Sequence, residues 1–334
     1  MTQTSPIQTQ QIPHELRLSA AERLVSAPGR RDAARRLIAS ASSHGIDLNL
    51  MWGVIENPER SSPNPKKARP RVRQTVLAVL GAGRTAMLFL PTPDPADRTL
   101  GTAQTQRNEI TASIQACLEG LRAWAPAKVT LGQTLVGEDE QWAHSACIDA
   151  GMISVGTLDY LRKPVTLADL TGPPPNWPDG IEVRAMDSIQ ADRSLLIEAL
   201  EGSYEQTLDC PELCGLRSME DVVDSHMATG EFDPSRWHLV FKDGQPAGCC
   251  LLSHCPPNNT VELVYIGIAP IARGLGLGQS LLTHAIGSLG PMDITEVTCA
   301  VDNRNAPALR IYDAMGFERF DARVGFVSSI TARA

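Results

Sequence analysis

The chain has 334 residues, long enough for two domains that each bury a core, and a formal net charge of -8 at neutral pH. That acidic balance argues against a general nucleic-acid or anionic-membrane binder, which needs a basic surface, and no apolar run is long enough to span a bilayer. Residues 1–12 are Thr/Gln-rich and lack the basic and apolar regions of a signal peptide, so a disordered N-terminus over 1–14 and a cytoplasmic location are expected.

In chain order, residues 58–73 are basic and proline-rich and read as a solvated loop. Strands over 73–80 and 84–91 flank Gly81-Ala82-Gly83 as a hairpin. Helix 109–124, strand 128–136, helix 138–149 and strand 153–161 follow. The densest proline cluster lies in 163–180, and 166–180 read as a linker between a first domain, 15–165, and a second, 181–334. The second half reads as strand 181–186, helix 194–204, a Cys/Pro-interrupted loop and helix 219–227. Strands 237–242 and 245–253 then surround Asp243-Gly244, a strong hairpin signal. Strand 261–269, helix 279–289, strand 296–301, a helix led by Asn305 and strand 317–330 complete it.

Eight cysteines invite a metal or disulfide reading, above all Cys210-x-x-x-Cys214 and the group Cys249, Cys250, His254, Cys255. Cys249 and Cys250 fall in an apolar strand, where free cysteine packs as a small hydrophobe and neighbours point to opposite faces. C-x-x-C pairs are missing, so no metal is expected.

The most informative junction is Arg273-Gly274-Leu275-Gly276-Leu277-Gly278, between an apolar strand and a helix. It reads as a pyrophosphate cradle, because glycines allow close backbone approach and a helix start offers free N–H groups to anionic oxygens. Arg273 can add positive charge. A Walker A loop fails, since it needs glycine at Arg273 and lysine at Gln279. A dinucleotide fingerprint fits better, with Asp302 as a strand-end acid, but its spacing is G-x-G-x-G and the acid stands about 30 residues on rather than about 20. The turn alone leaves these ligands undecided.

The run Asn305-Ala306-Pro307-Ala308-Leu309-Arg310-Ile311-Tyr312-Asp313-Ala314-Met315-Gly316-Phe317 decides between them. With it, residues from about 180 to 334 resemble the GNAT superfamily of acyl-CoA N-acyltransferases. Arg273, Gly276 and Gly278 match the family's R/Q-x-x-G-x-G/A turn; Asn305, Tyr312, Gly316 and Phe317 match its Asn-led helix. The resemblance implies an α/β (α+β) fold with a mixed, mainly antiparallel sheet flanked by helices, and acetyl-CoA as cosubstrate.

The first half reads as a worn copy of the same plan. Aligning Gly151-Met152 with Gly316-Phe317 puts Cys147 at the place of Tyr312 and Glu140 at that of Asn305. Arg98-Thr99-Leu100-Gly101-Thr102-Ala103 keeps a loose R-x-x-G-x-A pattern, beside Asp94 and Asp97, which would repel a pyrophosphate. Two such halves are similar in architecture to mycothiol synthase-like tandem GNAT proteins, in which one domain is degenerate.

By that resemblance the fourth strand of the catalytic domain splays from the fifth and offers backbone groups of Ile266, Gly267 and Ile268 to the pantetheine. Gly267 suits a bulge there, or makes room for a packed helix. The cradle comprises Arg273, Gly274, Leu275, Gly276, Leu277 and Gly278, with Asn305 on the pantetheine arm or capping the last helix. Glu262, the single acid of an apolar strand, is the candidate general base and Tyr312 the candidate general acid. The loop from Tyr204 to Arg217 covers the acceptor pocket, where Tyr204, Glu205, Asp209 and Glu212 are candidates to bind the ammonium of a small molecule or peptide. A non-catalytic acyl-CoA sensor that binds a partner is the competing reading.

Overall fold

The computed structural model describes residues 7–330 apart from 26–28, 57–69, 95, 125–127 and 291–293. They form two compact units, Met1–Ser154 with Val324–Ala334, and Val155–Arg323. Most of the basic loop expected at 58–73 and the first six residues of the N-terminal tail lie outside the described residues. Among those described, no helix is long and apolar enough to cross a membrane.

The first unit opens with β1 (Thr9–Gln11), helices α1 (Arg17–Leu24) and α2 (Arg30–Ser40), and β2 (Met51–Glu56). The tail was expected to be disordered to residue 14, but β1 pairs antiparallel with β2 and Ile12 is buried beyond it. Then come β3 (Arg71–Gly81), β4 (Thr85–Phe89), α3 (Ala103–Trp124), β5 (Leu131–Gly137) and α4 (Gln141–Asp149). The strands run β1-β2-β3-β4-β5, antiparallel except for β4 and β5, which pair in parallel. Ile110, Ile114, Cys117, Leu118 and Leu121 recur at helical spacing along α3 and seal its core against Val76, Ala78, Ala86 and Leu88.

The second unit begins within β6 (Ile153–Pro164), the strand expected to close the first domain. It lies beside β11 (Glu296–Asp302), from Pro164 opposite Glu296 to Leu158 opposite Asp302. The last strand, β12 (Glu318–Ser329), starts in this unit and ends in the first, where the Ile330 N–H donates to the Thr130 carbonyl. The division therefore falls at 154/155 and 323/324 rather than within 166–180. That proline-rich stretch contains a short helix, α5 (Leu167–Thr171), with a Thr166/Asp169 capping box. Leu170 and Trp177 pack on the second unit's core, so the stretch is part of that unit.

Next come β7 (Ile181–Ala185), α6 (Ile189–Tyr204), α7 (Met219–Met227), β8 (Trp237–Lys242), β9 (Gln245–Cys255) and β10 (Thr260–Ile268). After them lie α8 (Leu277–Gly287), β11, α9 (Ala306–Ala314) and β12. The strand order is β7-β8-β9-β10-β11-β6, with the β10–β11 pair parallel. Asp243 and Gly244 have φ of +49° and +80°, the paired positive values that a tight β8–β9 hairpin demands. Alternation along the strands makes two cores. Cys250, Leu252, Val261, Leu263 and Val297 face α8 and α9, while Cys249, Leu251, Leu239 and Trp237 face α6 and α7.

Candidate active site

β10 pairs with β11 only over Thr260–Glu296, Val261–Val297 and Glu262–Thr298, and after Glu262 the two strands part. On its other side β10 stays paired with β9 to Ile268, with the register slipping between Leu263 and Tyr265. The bulge is thus at Val264, not at Gly267, which pairs regularly with Cys249. Gly267 is small for packing: a Cβ there would meet the Tyr265 hydroxyl and come within 2.8 Å of the Ser203 Cβ on α6. The two hydroxyls, of Ser203 and Tyr265, are hydrogen-bonded at 2.8 Å.

The parting strands open a cavity of about 550 Å³. Ile266, Gly267 and Ile268 form one wall, and α8 begins at its end. Gly274 (φ +80°) and Gly276 (φ +72°) hold the turn in a left-handed conformation that any other residue adopts with strain, with nothing within 4 Å of where a Cβ would stand. Gly276 is the N-cap of α8 and no side chain caps this helix, so its first N–H groups lack a side-chain partner where Gly276 to Gln279 line the cavity. Gly278 plays another part, since a Cβ there would lie 2.6 Å from Ile311 Cδ1 on α9. Leu275 is 43% exposed and stands outside the lining.

Arg273 lines the cavity with two of its three nitrogens committed to backbone carbonyls. Nε donates to the Ile268 carbonyl at 2.8 Å, and Nη2 to those of Ser203 (3.1 Å) and Glu205 (2.7 Å). It ties the end of β10 to the last turn of α6, whose carbonyls lack helical partners, and so fixes the shape of the cradle.

Tyr312 stands in the lining, 5% exposed, and hydrogen-bonds Cys299. Burial holds its phenol well above the ordinary value, so it carries its proton at neutral pH. Asn305 caps α9 by accepting from the Ala308 N–H and also hydrogen-bonds Asp209. Glu262 lies at the fork of the strands, outside the cavity lining. It is half-buried, and burial alone raises its pKa. Among the described residues it has no charged partner.

The acceptor loop departs from expectation. Glu212 is gripped by Arg304 at 2.7 and 2.9 Å, which holds its carboxyl below the usual range. Asp209, the one loop candidate in the lining, accepts from the Asp302 N–H at 2.9 Å, and burial raises its pKa. Tyr204 packs edge-on against Tyr265 at 5.4 Å, and Glu205 gives Arg273 only its backbone carbonyl. These four are not gathered into an ammonium pocket. Instead Asp302, read from sequence only as a strand-end acid, is fully buried and anchors the loop through the Cys210 N–H (3.0 Å) and Arg304. Arg304 escaped sequence reasoning; its adjacency to Asn305 was the available signal.

The first unit repeats parts of this scaffold with other residues. Met152 N–H donates to Cys147 O (3.0 Å) as Phe317 N–H does to Tyr312 O (2.9 Å), and Gly151 and Gly316 have φ of +83° and +81°. β4 and β5 also share three parallel pairs, and that register sets Met87 where β10 has Glu262. The repulsion expected from Asp94 and Asp97 is cancelled by Arg30 (3.1 Å) and Arg71 (2.6 Å). The turn is filled by Arg73, which donates to the Thr99 and Leu100 carbonyls.

Residues 203–317 match the model of the acetyltransferase (GNAT) family. A mycothiol acetyltransferase of Thermomonospora curvata is 30% identical over 56% of this chain and 62% of its own length. The chain thus spans somewhat less than two thirds of that relative; one from Rhodococcus jostii is 28% identical over 77% of this chain and 88% of its own. In fold, a GCN5-related N-acetyltransferase from Sphaerobacter thermophilus covers 99% of this chain and 98% of its own with a TM-score of 0.55 at 19% identity. The chain is thus similar to the acetyltransferase (GNAT) family through residues 203–317 and to mycothiol acetyltransferases over 56% to 77% of its length.

Proposed function

We propose that the second unit transfers an acetyl group from acetyl-CoA to a primary amine by direct attack. The observation that carries this reading is the parting of β10 from β11 beyond Glu262, with an anion-binding helix start at one end of the opening and Tyr312 in its wall. The unpaired backbone of β10 faces the pantetheine and thioester, and the α8 N–H groups face the pyrophosphate. Glu262 takes a proton from the ammonium, directly or through one water. The amine nitrogen bonds to the thioester carbon, the C–S bond breaks and the CoA thiolate takes its proton from Tyr312, while the nitrogen sheds its second proton, which through water restores the Tyr312 phenol. Met87 and Cys147 at the corresponding places of the first unit leave it a structural partner in this scheme.

Thermal shift with acetyl-CoA, CoA and NAD tests the reading. A ligand at about 100 times its Kd stabilises by roughly 2.7 kcal/mol, so both CoA forms raise the melting temperature and NAD does not. Gln279→Glu sharpens the test. Gln279 lines the cavity in the first turn of α8, where an acid favours the helix but opposes a phosphate. Acetyl-CoA affinity falls by about tenfold or more while the unliganded melting temperature holds. Stabilisation by NAD alone would sink the proposal.

A further inference from the structure

Beside Glu262, the sheet face on the α6/α7 side carries groups that the proposed acetyl transfer does not use. Arg162 stands opposite Thr298, and Thr298 opposite Glu262, so the three form one row across β6, β11 and β10 and point to one side. Tyr160 and Ala300 form the next row on that side. The Phe320 ring of β12 lies edge-on to Tyr160 at 6.3 Å, and the Arg162 guanidinium sits 5.5 Å from the same ring. Behind these rows Leu161, Val297 and Cys299 fill the core, whereas Arg162, Ala300 and Phe320 are exposed.

Charge separates this row from an ordinary solvated surface. Its neighbours are compensated: Arg319 by Asp159 (2.9 Å), Arg323 by Asp321 (2.9 Å) and Lys163 by Asp169 (2.9 Å). Arg162 has no carboxylate partner among the described residues, and neither does Glu262 a cationic one. Their backbones stand two strand spacings apart, about 9–10 Å, and the Arg162 guanidinium leans to the Phe320 side, away from Glu262. A free cation and a free carboxylate at the ends of one row, with an aromatic floor beside it, complement a molecule bearing both charges at that separation.

We propose that this row is the acceptor site and that the acceptor is a primary amine carrying an anionic group, carboxylate or phosphate, about 9–10 Å from its nitrogen. The proposal rests on Glu262 as the base. The ammonium meets Glu262, the anion meets the planar donor fork of Arg162, which rests on Phe320, and the connecting chain crosses Thr298 of β11 between them. Length discriminates, because a single amino acid holds its two charges within about 3.5 Å while three extended residues span about 10 Å.

The test measures CoA release from acetyl-CoA with glycine, diglycine, triglycine, triglycinamide and 6-aminohexyl phosphate. The wild-type protein prefers triglycine to glycine and to triglycinamide by about tenfold in kcat/KM, and the aminohexyl phosphate decides between carboxylate and phosphate. Arg162→Gln loses the preference for the acid over the amide, through KM rather than kcat. Equal use of acid and amide by the wild type, or a loss in Arg162→Gln that falls on both alike, overturns the proposal. Failure to turn over any of these amines while acetyl-CoA still raises the melting temperature overturns this site and leaves the cofactor reading standing. No shift with acetyl-CoA overturns both.

Discussion

Replacing Arg304 with Met tests whether the buried Asp302 carboxylate holds the acceptor loop. Asp302 accepts from the N–H groups of Cys210 (3.0 Å) and Arg304 (2.8 Å), and from Arg304 Nε (3.0 Å) and Nη2 (2.6 Å). Arg304→Met leaves the charge buried with the two backbone donors. Breaking a buried ion pair costs about 3–5 kcal/mol, but the Arg304 side chain is 47% exposed and partly screened, so about 2–3 kcal/mol is expected. At about 2–4 °C per kcal/mol, calorimetry would record a fall of roughly 5–10 °C. Proteolysis should quicken within residues 204–217, since Glu212 and Cys210 lose their anchor. The pH dependence supplies the sharper check. Burial pushes the Asp302 carboxyl up and the Arg304 hydrogen bonds outweigh it, so its pKa lies below the ordinary value. Its stabilisation is present above the unfolded pKa and lost as pH falls through the folded one. Without Arg304, burial raises the folded pKa, and the variant gains relative to wild type as pH falls from 7 towards 4. A difference under about 1 kcal/mol at pH 7, or one that stays constant with pH, would refute the reasoning.

Tyr312→Phe should lower kcat by about a hundredfold with little change in acetyl-CoA affinity, measured in steady state, because only the proton donor is removed. Glu262→Gln should differ in kind: its loss is partly recovered at high pH, where the free amine forms unaided, and a wild-type kcat/KM across the whole pH range would show Glu262 to be a structural strand residue. Burial, then His284, depresses the His238 pKa to about 4, so its stabilisation is present above the unfolded value near 6.5 and lost as pH falls towards 4. Urea melts of His238→Leu should show a shallower fall than wild type across that window, by on the order of 2–3 kcal/mol. His226, also near 4 through burial, keeps its own contribution in both proteins.

Local patterning made much of the second unit legible. α7 and β8 begin and end where Ser218, the apolar spacing and Asp243-Gly244 place them. Helix starts were harder. α6 begins at Ile189, not at 194, because Ser188 caps it and Asp192 in its first turn bonds Arg184 at 2.8 Å. α3 begins at Ala103, not at 109, with the Thr102 hydroxyl accepting from the Thr105 N–H. β1 is Thr-Gln-Gln, a strand by virtue of its pairing with β2 rather than of any propensity in its residues. The partner of β6 was equally hidden, since alternation marks a strand but does not name the edge it joins.

The turn and helix proposed to hold the cofactor were legible because their requirements are local. A left-handed turn selects Gly274 and Gly276, and a short helix places Asn305 and Tyr312 two turns apart. The acceptor side depends on groups distant in sequence, and there composition misled. The acids Asp209 and Glu212 looked like ammonium ligands, yet their charges meet Asp302 N–H and Arg304, both more than 90 residues away. Removing them from the recognition surface changes which charges remain for a substrate. Among the described residues, what stays uncompensated beside the fork of β10 and β11 is Glu262 with Arg162, and Arg162 comes from β6, a strand whose sequence neighbours belong to the first half. The first half of the sequence therefore contributes β6 to the second unit, whatever Met87 and Cys147 do in its own. Under this reading, substitutions in β6 should alter acceptor choice, while substitutions at Met87 should not.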